Sequence, residues 1–161
     1  MAIPTSRMRT DIQPSRETVR DLFQQGDLVP VYRTLLADLE TPVSVYLKLA
    51  KQGQPAFLLE SVEGGERVGR YSFIGVNPRG IISVKDNVVT RSVDGETTQI
   101  PLEAGQDPLH IIKAELERFQ PVRVPGLPRF VGGAVGFFTY DVVRYFENLP
   151  ATAEASLNVP E

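Results

Sequence analysis

The fold turns on residues 70–100, RYSFIGVNPRGIISVKDNVVTRSVDGETTQI. Arg70 to Val76 reads as a strand, ended by Asn77-Pro78, because proline has no N–H to give to a ladder. Gly80 to Lys85 is the next strand and turns at Asp86-Asn87. Val88 to Val93 follows, and Asp94-Gly95 is a strong two-residue hairpin signal into Glu96–Ile100. Upstream, Ala56 to Ser61 (AFLLES) is another strand, set off by a loop at Glu63, Gly64, Gly65 and Glu66. The result is a meander of antiparallel strands.

Helices flank it. Ser15 caps a helix running to Gln25, with Val19, Leu22 and Phe23 as its apolar stripe and Gly26 as its stop. Residues 28–36 read as extended and are broken by Pro30. Thr41 and Pro42 open a second helix at the cap and first helical positions, and Gly53 closes it. Val43, Tyr46, Leu47 and Ala50 share one face. Asp107-Pro108 repeats that start for a helix lined by Leu109, Ile112, Leu116 and Phe119. A proline-rich connector, 120–128, leads to the apolar segment 129–139. Its glycines predict a strand with close backbone packing. Asp141 caps a short helix over 142–147. The expected fold class is α+β, mainly antiparallel sheet with flanking helices.

Composition narrows the chemistry. The chain has 161 residues, 17 Lys+Arg, 20 Asp+Glu, a net charge of −3, one His, no Cys and no Trp. Without Cys there is no disulfide framework, thiolate nucleophile or Cys-ligated metal. A single His removes His-rich metal sites and argues against a Ser-His-Asp triad. The net charge argues against nucleic acid. The apolar run at 130–138 is too short to span a bilayer. The N-terminal MAIPTSRMRT has no apolar core of a secretory signal, so the expected location is cytoplasmic.

Phosphate-binding templates are missing. There is no P-loop, and Gly64, Gly65 and Gly69 do not form G-x-G-x-x-G. His110 lies off its helix's apolar stripe and reads as solvated. Glu60 is the odd residue. Alternation puts Phe57, Leu59 and Ser61 on one face and Leu58 and Glu60 on the other. A carboxylate ending an apolar strand needs water or a fixed partner. Two readings stay open: an ion pair with Arg67, Arg70 or Arg79, or, with the Ser61 hydroxyl, a seat for a ligand ammonium and a second polar group.

Residues 58–66 (LLESVEGGE) and 69–75 (GRYSFIG) closely resemble the N-terminal region of component I, the large subunit, of anthranilate synthase. So do residues 30–33 (PVYR), 41–46 (TPVSVY) and 132–141 (GGAVGFFTYD), in the same order. The resemblance implies an N-terminal arm and helix over 1–27, the family's N-terminal domain over 28–147, and a linker over 148–161. That linker would run toward a C-terminal chorismate-binding domain that this chain does not resemble. The fold would be an incomplete part of a larger chorismate-utilising β-sandwich. The family, a lyase of tryptophan biosynthesis, converts chorismate and glutamine or ammonia to anthranilate and pyruvate. It uses Mg²⁺, bound outside these residues, and a glutaminase partner subunit.

The resemblance also implies feedback inhibition by tryptophan, with Leu59, Glu60 and Ser61 lining the inhibitor site and Arg70, Tyr71 and Ser72 as further members. The chain itself is then expected to be a regulatory scaffold without catalytic residues. Its strand edges would be left open and prone to self-association. Two other readings are the N-terminal part of aminodeoxychorismate synthase component I and a non-catalytic, stand-alone binding module.

Overall fold

The computed structural model describes residues 11–60, 71–150 and 160. Its architecture is α+β. In chain order it runs α1 (Arg16–Leu22), α2 (Pro42–Leu49), β1 (Ala56–Glu60), β2 (Ser72–Val76), β3 (Gly80–Lys85), β4 (Val88–Val93), β5 (Glu96–Pro101), α3 (Leu109–Glu117) and a 3₁₀ turn, Tyr140–Tyr145.

Three helix starts are those the caps foretell, but Asp141 caps nothing: it lies inside the 3₁₀ turn, whose N-cap, Thr139, makes no side-chain cap bond. Ser15 Oγ accepts from Thr18 N–H at 3.2 Å. Thr41 and Ser44 exchange side-chain-to-backbone bonds at 3.1 and 2.9 Å, a reciprocal capping box with Pro42 at the first helical position. Asp107 Oδ1 accepts from the N–H groups of Leu109 and His110. The α1 helix stops short of Gln25. The Gln24 and Gln25 N–H groups reach Asp21 and Leu22 carbonyls three residues back, so the last turn tightens out of α geometry.

The expected meander is two sheets rather than one. β1 and β2 pair antiparallel, and β3, β4 and β5 form a separate antiparallel sheet. The break lies at Asn77, whose φ is 52°, followed by Pro78 with no N–H. Both turns of the second sheet have positive φ at their two central residues, Asp86 and Asn87, then Asp94 and Gly95. Such turns match strand twist, which fixes the register. Val84, Val89 and Val93 therefore share one face and are buried, Val89 completely. Ser83, Thr90, Ser92, Thr97 and Gln99 share the other, where Ser92 and Thr97 hydroxyls lie 2.9 Å apart.

The chain divides into two compact units. One joins the described residues up to Glu40 to Glu115–Ala134; the other holds Thr41–Ala114 with the described residues from Val135. In the first, residues 28–36 form no strand, but isolated bridges: Gln13 to Tyr32, and Leu28 to Pro121. Asp27 Oδ1 accepts from Gln120 N–H at 2.6 Å, Leu28 carbonyl accepts from Val122 N–H at 2.8 Å, and Val122 is buried. In the second, α2 packs on β1 and β2.

Residues 129–139 correct a sequence expectation. They form no strand, and a Cβ at Gly132 or Gly136 would meet nothing within 4 Å. A strand exists only where a neighbour takes its ladder bonds, and none does so among the described residues. Val131, Phe137 and Phe138 are correspondingly exposed.

Candidate functional site

The β1–β2 hairpin carries the residues singled out by sequence. β1 ends Leu58-Leu59-Glu60 and β2 begins Ser72-Phe73-Ile74, in the register Glu60 to Ser72, Leu59 to Phe73, Leu58 to Ile74. Residues directly opposite in an antiparallel pair share a face. Glu60 and Ser72 thus stand side by side at the end of the hairpin where the connecting segment leaves and returns, with Leu58 and Ile74 behind them on the same face. Leu59 and Phe73 occupy the other face. Tyr71, two residues from Phe73, joins that face, and the two rings lie 6.1 Å apart with 31° between their planes. Ser61 and Arg70 lie outside the described residues, as do Glu63, Glu66 and Arg67.

The predicted set therefore divides by chemistry as well as by face. One side presents a carboxylate beside a hydroxyl. The other presents an apolar, aromatic surface of Leu59, Tyr71 and Phe73, with Leu59 and Tyr71 each about half exposed. Phe73 lies in the 69–75 motif but is not among the residues that the resemblance assigns to the site. Its position two residues after Tyr71 in a strand is the signal that puts them on one face.

The ion-pair reading of Glu60 can be checked against Arg79. Arg79 is committed elsewhere: its Nε and Nη2 grip Asp94 at 3.0 and 2.7 Å. Among the described residues no ion pair reaches the Glu60 carboxylate. An exposed carboxylate with a neighbouring hydroxyl is suited to a ligand ammonium and a second polar group, and the aromatic face to a flat apolar body. A ligand touching both Leu59 and Glu60 must straddle the hairpin end, since consecutive strand residues point oppositely.

Other candidates recede. His110 is mostly solvated, its Nδ1 2.7 Å from Asp107 Oδ2, the carboxylate that caps its own helix. A cavity of about 330 Å³ lies where Gln54 and Pro55 meet Gly80 and Ile81, but its cation is the Asp94-bound Arg79. Among the described residues no three His, Cys, Asp or Glu side chains are grouped to hold a metal ion. None of the described helices is long and apolar enough to cross a membrane.

The chain is 39% identical over 149 residues to anthranilate synthase component 1 of Acetivibrio thermocellus, a match covering 92% of this chain and 29% of that protein. It is 48% identical over 140 residues to the Pseudomonas aeruginosa protein of the same name, covering 86% and 28%. For the Synechocystis protein of that name the figures are 41% over 142 residues, 84% and 26%. This chain thus spans little more than a quarter of the length of these relatives. No protein-family model matches it.

Proposed function

We propose, from the premise that this chain belongs over its span to the anthranilate synthase component 1 family, that it is the regulatory and scaffolding part of such an enzyme. The whole protein would be a lyase of tryptophan biosynthesis, turning chorismate and glutamine or ammonia into anthranilate and pyruvate with a glutaminase partner in the cytoplasm. Among the described residues no three His, Cys, Asp or Glu side chains are grouped to fit Mg²⁺. The metal and the chemistry would belong to the rest of the relatives' length.

This part would contribute to a feedback site for tryptophan. The observation that supports it is the hairpin end: the Glu60 carboxylate opposite Ser72, with Leu59, Tyr71 and Phe73 on the reverse. A tryptophan zwitterion needs an anion for its ammonium, a hydroxyl for its carboxylate and apolar surface for its indole. Glu60 takes the first role and Ser72 the second, joined by Ser61 and Arg70 from the segment between the strands. Binding there would shift activity at a distance through the equilibrium between two arrangements of the full enzyme.

Calorimetric titration of the full-length enzyme with tryptophan tests this. Glu60→Ala and Ser61→Arg are each expected to weaken binding about tenfold or more, the loss of one charge-assisted contact. Unchanged affinity in both variants overturns the site. The 161-residue chain alone, given chorismate, Mg²⁺ and ammonia, is expected to develop no anthranilate fluorescence. Its appearance overturns the scaffold role.

A further inference from the structure

Among the described residues the second sheet ends in β5, which is paired on one side, and the phase of its hydrogen bonds tells which backbone groups face outward. The Asp94-Gly95 turn makes Val93 and Glu96 a hydrogen-bonded pair, and such pairs alternate along the ladder. Leu102 N–H donates to Asn87 carbonyl at 2.8 Å, which holds the same phase at the far end. Glu96, Thr98 and Ile100 therefore spend their backbone groups on β4, while Thr97 and Gln99 aim theirs away from the sheet. Pro101 stands at the next outward position, where its missing N–H costs the ladder nothing. The side chains of residues 96–99 are all exposed.

Natural edges of this kind are usually blunted by short length, charged side chains, proline, a bulge or a cover. β5 has Glu96 and Pro101 at its two ends, but no charge and no proline between Thr97 and Ile100. The opposite edge, β3, is flanked at its start by Gln54 and Pro55, which line a cavity with Gly80 and Ile81.

We infer that β5 is a self-association edge, whose occupant is β5 of a second copy of this chain, paired antiparallel about a two-fold axis at Thr98. The sequence is self-complementary in that register. Thr97 lies opposite Gln99 of the partner, and Gln99 opposite the partner's Thr97, so each outward donor and acceptor meets its counterpart. Each Glu96 falls opposite the partner's Ile100, which keeps the two carboxylates apart. The two Thr98 side chains form a close, non-hydrogen-bonded pair across the axis. Two three-stranded sheets become one of six, with the valine faces continuous. The inference rests on β5 alone and is independent of the proposed tryptophan site.

The chain contains no cysteine, which makes the register directly readable. Non-hydrogen-bonded antiparallel partners have Cα atoms about 4.5 Å apart, within disulfide range. Under mild oxidation Thr98→Cys is expected to form a covalent dimer, and Lys85→Cys, on the other edge, to stay uncrosslinked. Sedimentation from micromolar to millimolar concentration is expected to show a reversible dimer. Thr98→Lys sets like charges face to face and is expected to raise its dissociation constant at least about tenfold. A wild-type monomer throughout, equal crosslinking at positions 98 and 85, or undiminished dimerisation of Thr98→Lys overturns the inference. Thr98→Cys is close to isosteric, so it keeps the test open if the lysine variant fails to fold.

Discussion

Gly75 shows how tightly one residue can be specified. In β2 it lies opposite Phe57 of β1, and an added Cβ would run into the Phe57 ring. The ring covers the gap that the missing side chain leaves. Gly75→Ala is expected to destabilise the β1–β2 unit by about 1–3 kcal/mol, because the ring must leave its rotamer or the strands must part. A thermal or urea melt reads this out, and a midpoint equal to wild type contradicts it. Nothing in the sequence announces this contact, since the glycine's cross-strand partner depends on register. The face of Glu60, by contrast, was legible from alternation alone. Its freedom from Arg79 was not. That arginine is taken by Asp94, 15 residues on, through a turn whose geometry brings them together.

Elements marked by local chemistry were legible, and those that depend on a distant neighbour were not. The bounds of β3 and β4 follow from Asn-Pro, Asp-Asn and Asp-Gly, each a turn that sets φ by itself. The start of α2 follows from Thr41, Pro42 and Ser44. Thr41→Ala removes the acceptor for the Ser44 N–H and is expected to cost about 1 kcal/mol. Circular dichroism through a thermal melt should find a lower midpoint, and Thr41→Ser should restore most of it. An unchanged alanine melt would mean that packing on β1 and β2 alone holds the helix. Segment 129–139 has the opposite lesson. Its hydropathy says that it prefers burial, but cover has to come from elsewhere, and the pattern cannot name the source.

Across the whole molecule, burial is sparse for so apolar a composition. Among the described residues the buried hydrophobic side chains are four valines, at 84, 89, 93 and 122, whereas Leu39 is 98% exposed and Leu47 and Phe137 are each 70% exposed. Globular chains rarely leave so many large apolar side chains in water without a use for them. In buffer without denaturant, the dye ANS is expected to bind with enhanced, blue-shifted emission while the far-UV spectrum stays native. Emission equal to that of free dye would show these side chains to be covered. The α+β class was legible at this scale because it depends on the count and kind of elements. The division into two sheets was not, because Asn77-Pro78 marks where a strand ends and not which strands then pair.

The bond from Gln120 to Asp27 joins residues 93 apart, and the unit that it closes is interrupted by the other. Synthesis on the ribosome is vectorial, so the first 40 residues emerge long before their partners. The hairpins of 80–101 need only sequence neighbours and can form at once, whereas Asp27 must wait for Gln120 and for a long loop closure. The earliest part of this chain to be made is therefore among the last to be completed, and a ribosome stalled before residue 120 would hold it without its clasp.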